Sequence, residues 1–101
     1  MNLFEIVFSP KSEMDMMELE DVISLDYKAP LTAFHYLQGL RNAIKELSNS
    51  AESYPVQTSH SFLQYGANVR RINYKRMAII YTTHNDIVYV HRIIASSMIS
   101  D

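Results

Sequence analysis

Seven side chains of this sequence have types and spacings that could do chemistry. Arg70, Arg71, Lys75 and Arg76 stand within seven residues of one another, while the other charges of the second half of the chain are sparse. Such a cluster is expected to form one local positive patch around a β-hairpin, suited to an acidic partner. Arg71 and Arg76 could hold phosphate, His91 could serve as acid or base near neutral pH, and Tyr81 could donate a proton. Arg92 follows His91 directly and adds a further cation. Each has a plainer reading: a lone strand histidine is usually structural, and a strand tyrosine usually packs while its hydroxyl finds a hydrogen bond. The four histidines show no metal-ligand spacing and the chain has no cysteine. No metal, no cofactor, no thiolate chemistry and no disulfide framework are expected.

These groups need elements to carry them. Leu3–Phe8 is a short β-branched and aromatic run, followed by Ser9 as an N-cap and Pro10 at the first helical position. From Pro10 the apolar residues Met16, Leu19 and Ile23, flanked by Met17 and Val22, recur at three and four, predicting an amphipathic helix to about Tyr27. Met16 and Met17 are expected in its core face. A second helix is predicted from Ala29-Pro30 to about Glu52, with Phe34, Leu37, Arg41, Ile44 and Leu47 on one face, joined by Leu31, Leu40 and Ala43. Two such neighbours cover each other only as an antiparallel helical hairpin. Gly39, inside the second, is expected to allow close helix–helix approach.

Residues 53–67 are punctuated by Pro55, Ser59, Ser61 and Gly66 and read as a loop or a short edge strand. Val69–Tyr74, Met77–Thr83 and Ile87–Ala95 are dense in Val, Ile, Tyr and Thr, with turn residues His84-Asn85-Asp86 before the last. They read as a three-stranded antiparallel meander. Strict alternation places Val88, Val90, Arg92 and Ile94 on one face of the last strand and Ile87, Tyr89, His91 and Ile93 on the other. Both faces are partly apolar, so this strand is expected to be central, with helices on one side and a ligand or partner on the other. The fold class is α+β, in the order β-α-α-β-β-β, with the helices packed on one sheet face.

The whole composition frames these elements. With 101 residues, 48% hydrophobic and 20% charged, and only two glycines and three prolines, the chain reads as one globular domain, residues 1–101, able to bury a core. The formal net charge of −2 argues against a strong nucleic-acid binder. It hides a split: residues 1–52 hold nine acids against four bases, whereas residues 53–101 hold five bases against two acids. No basic leader and no long apolar run is present, so a cytoplasmic protein without membrane contact is expected.

The succession of strand, helical hairpin and meander resembles the RelE/ParE superfamily of bacterial type II toxin–antitoxin toxins over roughly residues 3–98. The strongest local likeness is the segment from Val69 to Tyr81. In the ParE-like branch a basic residue and an aromatic precede three aliphatics and a tyrosine. Here Arg76 and Ile79-Ile80-Tyr81 fit, Met77 replaces the aromatic and Ala78 one aliphatic. Ile87–Ile94 is similar to the family's last strand, with Arg92 at the place of its arginine. The tail Ala95–Asp101 lacks the His-Gly and basic residues common in relatives. In RelE-like ribonucleases an arginine stands where this chain has Ala78, and a tail tyrosine acts in catalysis, whereas no tyrosine follows Tyr89 here.

The resemblance implies a ParE-like toxin, of the kind linked to plasmid stabilisation, that inhibits DNA gyrase by binding and is neutralised by a cognate antitoxin in a hetero-oligomer. Partner contacts would fall on Arg70, Arg71, Lys75, Arg76, Arg92 and the methionine beyond the last strand, Met98. The alternative is a RelE-like ribosome-dependent endoribonuclease acting on messenger RNA. Cleavage through the 2′-hydroxyl needs a base, cationic stabilisation of the phosphorane and an acid, which would fall to Arg71, Arg76, His91 and Arg92. A third reading is a non-toxic relative kept for antitoxin binding or autoregulation.

Overall fold

The computed structural model describes residues 3–27 and 30–99. Strand β1 (Glu5–Phe8) leads into helix α1 (Pro10–Tyr27), then α2 (Pro30–Lys45) and a single turn, α3 (Leu47–Ser50). Strands β2 (Arg70–Tyr74), β3 (Met77–His84) and β4 (Ile87–Ala95) follow. Short 3₁₀ turns occupy Ala51–Ser53, His60–Tyr65 and Ser96–Met98. The four strands form one mixed sheet in the order β1-β4-β3-β2, with β1 parallel to β4 and the other pairs antiparallel. The α+β class, the meander and the central place of the last strand are as the sequence predicts.

The handover from β1 to α1 shows why the first helix begins where it does. Ser9 donates its backbone N–H to Val90 O and its hydroxyl to His91 O, and accepts at Oγ from the Ser12 amide. One capping residue thus closes the helix N-terminus and ties it to β4. Pro10 needs no donor at its position. The hairpins β2–β3 and β3–β4 each turn on two residues, the first in the left-handed region, Lys75 at φ 52° and Asn85 at φ 53°. Asparagine is at home there; lysine is less so.

The main core lies between sheet and helices, where Met16, Leu40, Ile44 and Leu47 meet Ile72, Ile79, Tyr81, Val88, Val90 and Ile93. Several expectations are corrected. The second helix stops at Lys45, and the residues up to Ser53 form α3 and a 3₁₀ turn instead of a continuation. Its inner face is Ala33, Leu40 and Ile44, with Leu37 half-buried, while Leu31 and Phe34 are 68% and 59% exposed. Met17 points outward while Met16 is buried. Gly39 admits Tyr74 of β2 rather than another helix: a Cβ there would overlap the tyrosine hydroxyl and lie 2.8 Å from Cζ. Residues 53–67 are, by contrast, the expected loop: they hold the 3₁₀ turn His60–Tyr65, and the only strand pairing described for them is a bridge between Val56 and Arg70.

The alternation of β4 is also corrected. Ile80 pairs with Arg92 but the next residue, Tyr81, pairs with Val90, so His91 is the extra residue of a β-bulge. The bulge resets the phase, placing Val88, Val90 and Ile93 together in the helix-side core and Ile94 on the opposite side.

Candidate functional site

The bulge builds the site. On the sheet face away from the helices, Arg71 of β2, Ile80 of β3 and Arg92 of β4 stand in one cross-strand row. Neighbouring strands are about 4.8 Å apart, so the two arginines stand one on either side of Ile80 along the row. The adjoining row holds Thr82 opposite Tyr89, and between the rows sits His91. Phe62, in the 3₁₀ turn His60–Tyr65, folds over Val69 and Ile80, with Tyr65, Ile94 and Ile99 at the margin. The chain therefore covers part of its own second face. What remains open is a cavity of about 220 Å³ whose lining includes Tyr65, Ile80, Arg92, Ile94 and Met98.

Asp15 of α1 organises Arg92. Its carboxylate accepts from Arg92 Nε at 2.7 Å and Nη2 at 3.0 Å, and from the backbone amide of Ile93 at 2.9 Å. β1 ends at Phe8, opposite Val90, so the Ile93 amide has no strand neighbour on that side, and a carboxylate from α1 takes the place of one. The side chains are 24% and 10% exposed, and the hydrogen bonds from Arg92 to Asp15 raise the arginine pKa, keeping it charged. Two of the five guanidinium hydrogens go to Asp15, which leaves the other donors of Arg92 for Tyr65 or a ligand.

His91 is held from several sides. Its Nε2 and Thr82 Oγ1 are hydrogen-bonded at 2.8 Å, and its ring lies 4.8 Å from Tyr89 and 5.5 Å from Tyr65 between centroids. Burial pushes its pKa below the ordinary 6.5, so the imidazole is neutral at pH 7. A neutral imidazole fits a base or a hydrogen-bonding wall better than an acid. Tyr81 is not at the site at all. It is fully buried in the opposite, helix-side core, donates to Ala51 O at 2.6 Å, and burial pushes its pKa up to about 12 despite the nearby Arg70 charge. It cannot serve as a proton donor to a substrate.

The expected single basic patch is divided. Arg70 lies on the helix side, where Nη1 donates to the backbone carbonyls of Glu52 and Tyr54. Arg71 lies on the open face, its Nε donating to Asn73 Oδ1 at 3.0 Å. Lys75 sits in the turn with Nζ 5.4 Å from the Tyr36 ring centroid and 5.6 Å from that of Tyr74. Arg76, beside it, is exposed. Strand alternation sends Arg70 and Arg71 to opposite faces, and it does not extend through the two-residue turn that carries Lys75 and Arg76, so four cations close in sequence part company in space. Met98 is 71% exposed at the rim of the cavity. Sequence reasoning missed Asp15, Tyr65 and Thr82: the first reads as one acid among many on α1, and the others gain meaning only through the bulge. Among the described residues no group of three or more His, Cys, Asp or Glu could hold a metal ion.

No family model and no curated protein matches the sequence. Among solved structures, a chain of the "Chromosomal ParDE TA system from P. aeruginosa" aligns with a TM-score of 0.71, covering 92% of this chain and 96% of that one. The fold is that of a ParDE-system chain. The likeness comes at 16% sequence identity. At that level the likeness is one of fold, and the identity of each site residue has to be read from this chain alone. No helix among the described residues is long and apolar enough to cross a membrane.

Proposed function

We propose that this chain, as one domain over residues 1–101, is the toxin of a type II toxin–antitoxin pair, ParE-like, acting in the cytoplasm. It would bind and inhibit DNA gyrase and be neutralised by a cognate antitoxin. The observation that carries this reading is the ParDE-like fold over nearly the whole chain. It is supported by the dispersal of the acid–base candidates: Tyr81 is sealed in the core and Arg76 stands away from His91 in the β2–β3 turn. The test is a gyrase supercoiling assay with the purified chain. Loss of supercoiling, restored by the product of a neighbouring gene with an acidic tail, is the expected result; normal supercoiling alongside cleaved messenger RNA defeats the proposal.

One arrangement favours the ribonuclease as a second reading: Arg71, His91 and Arg92 share the open face, with the neutral imidazole of His91 next to Arg92 in β4. New ends on translated messenger RNA, mapped by toeprinting and lost in His91→Gln, would establish it. Antitoxin contact on Arg71, Arg76, Arg92 and Met98 is compatible with either reading. Replacing Arg71 and Arg76 together by alanine should weaken antitoxin binding and flatten its salt dependence; unchanged affinity and slope would remove them from the interface. Arg70 and Lys75 have partners within the chain, and their loss should act on stability as well.

A further inference from the structure

The 3₁₀ turn His60–Tyr65 lies over part of the open face, and against it is the cavity of about 220 Å³. Phe62, Ile80, Ile94 and Ile99 supply its apolar lining, and the exposed Met98 stands at its rim. An apolar cavity of about 150 Å³ already accepts a benzene ring. This one has room for a ring and a few further atoms.

Three donors belong to the same lining. Asp15 takes the Nε hydrogen of Arg92 and one from Nη2, which fixes the guanidinium and leaves Nη1 for other acceptors. Besides the Asp15 bonds that chiefly raise the arginine pKa, the neighbouring Tyr65 hydroxyl raises it further, as an oxygen turned towards the guanidinium does. That hydroxyl keeps a proton of its own to donate. Ser61 has its hydroxyl buried without a hydrogen-bond partner among the described residues. Buried hydroxyls are nearly always satisfied, so an acceptor is what this one lacks.

A planar carboxylate has two oxygens to receive such donors. A phosphate dianion suits the place less well. Asp15 already balances the charge of Arg92, and no other lysine or arginine among the described residues lines the cavity. A second negative charge would face the Asp15 carboxylate across one guanidinium with nothing further to offset it.

We propose that this cavity binds a small monocarboxylic acid with an apolar body, its carboxylate held by Arg92, Tyr65 and Ser61 and its body against Phe62, Ile80, Ile94 and Ile99. The inference goes beyond both functional readings, neither of which involves a free acid. It stands or falls separately from them, because the cavity is present whether the chain meets gyrase or messenger RNA.

Phenylacetate titrated into the full chain and followed by nuclear magnetic resonance tests it. Saturable shifts confined to the residues that line the cavity are expected, with a Kd below about 1 mM. Phenylacetamide has the same shape without the charge and should bind at least about tenfold more weakly. Inorganic phosphate should bind no better than the amide. Tyr65→Phe and Ser61→Ala each remove one hydroxyl and keep the surrounding packing; each should weaken phenylacetate about three- to tenfold with the rest of the spectrum unchanged. Ile94→Phe puts a ring into the cavity and should abolish binding. Equal affinity for the amide, unchanged affinity in either hydroxyl variant, binding retained in Ile94→Phe, shifts away from the cavity, or none at all would overturn the proposal. Tighter binding of inorganic phosphate than of phenylacetate would overturn it in favour of a phosphodiester backbone on this face.

Discussion

At the scale of single residues, the open face and the core use the same chemistry to opposite ends. His91 is the extra residue of a bulge, half-buried between two tyrosines, and its pKa lies below 6.5 because burial penalises the imidazolium. The unfolded chain therefore binds the proton more readily than the native one, and His91 contributes stability that is present above pH 6.5 and lost as the pH falls through its lower native value. The wild-type melting temperature should drop across that range more steeply than that of His91→Gln, measured by circular dichroism; parallel curves would contradict the assignment. Tyr81 works in the opposite direction. Its native pKa of about 12 exceeds the ordinary 10, so its contribution is complete below pH 10 and disappears as the pH rises towards 12. Tyr81→Phe should cost about 1 kcal/mol at neutral pH by leaving the buried Ala51 carbonyl without its donor, and should soften the alkaline loss. Asp15→Ala breaks two bonds from Arg92 and one from the Ile93 amide, and should destabilise by about 3 kcal/mol, measured by urea unfolding. A surface ion pair would give less than 1 kcal/mol.

At the scale of elements, the contact of α2 with β2 turns on Gly39. Alanine is the better helix former by about 1 kcal/mol, yet its methyl would collide with Tyr74, whose ring stacks edge-on against Tyr36 at 5.4 Å and lies under Lys75. Gly39→Ala should therefore be destabilising in the wild type and stabilising by about 1 kcal/mol in a Tyr74→Ala background, a sign change that a thermodynamic cycle reads directly. The helix existed in the periodicity of the sequence, but its inward face did not. A bulky phenylalanine at position 34 outweighs alanine at position 33 in any hydrophobic count. It is the packing of α2 in the folded molecule that buries the small side chain and turns the large one out. The same holds for β4, where a single unpaired residue moves Ile93 and Ile94 to faces opposite to those strict alternation assigns.

At the scale of the whole molecule, the extents of 40 × 33 × 22 Å describe a slab, one helix layer on one sheet, with only a short 3₁₀ turn over part of the other face. Such a shape leaves apolar surface outside. Leu25, 74% exposed near the end of α1, and Leu31 and Phe34 in the first turns of α2 stand on the outer side of the hairpin. Replacing Leu25 and Phe34 by glutamine should change unfolding free energy by no more than about 0.5 kcal/mol while raising solubility, measured by denaturation and light scattering. The order of elements, the α+β class, the start of α1 at Ser9-Pro10 and the central last strand were determined by sequence alone, because local caps and hydrophobic period act over a few residues and need no distant partner. The tertiary structure decided the rest: which side of the sheet each arginine joins, the pairing of Asp15 with residues some 77 positions away, and the place of β1 at the edge of the sheet. Each of these depends on register and on where a neighbouring strand ends, and neither quantity is written in the spacing of residues along one segment.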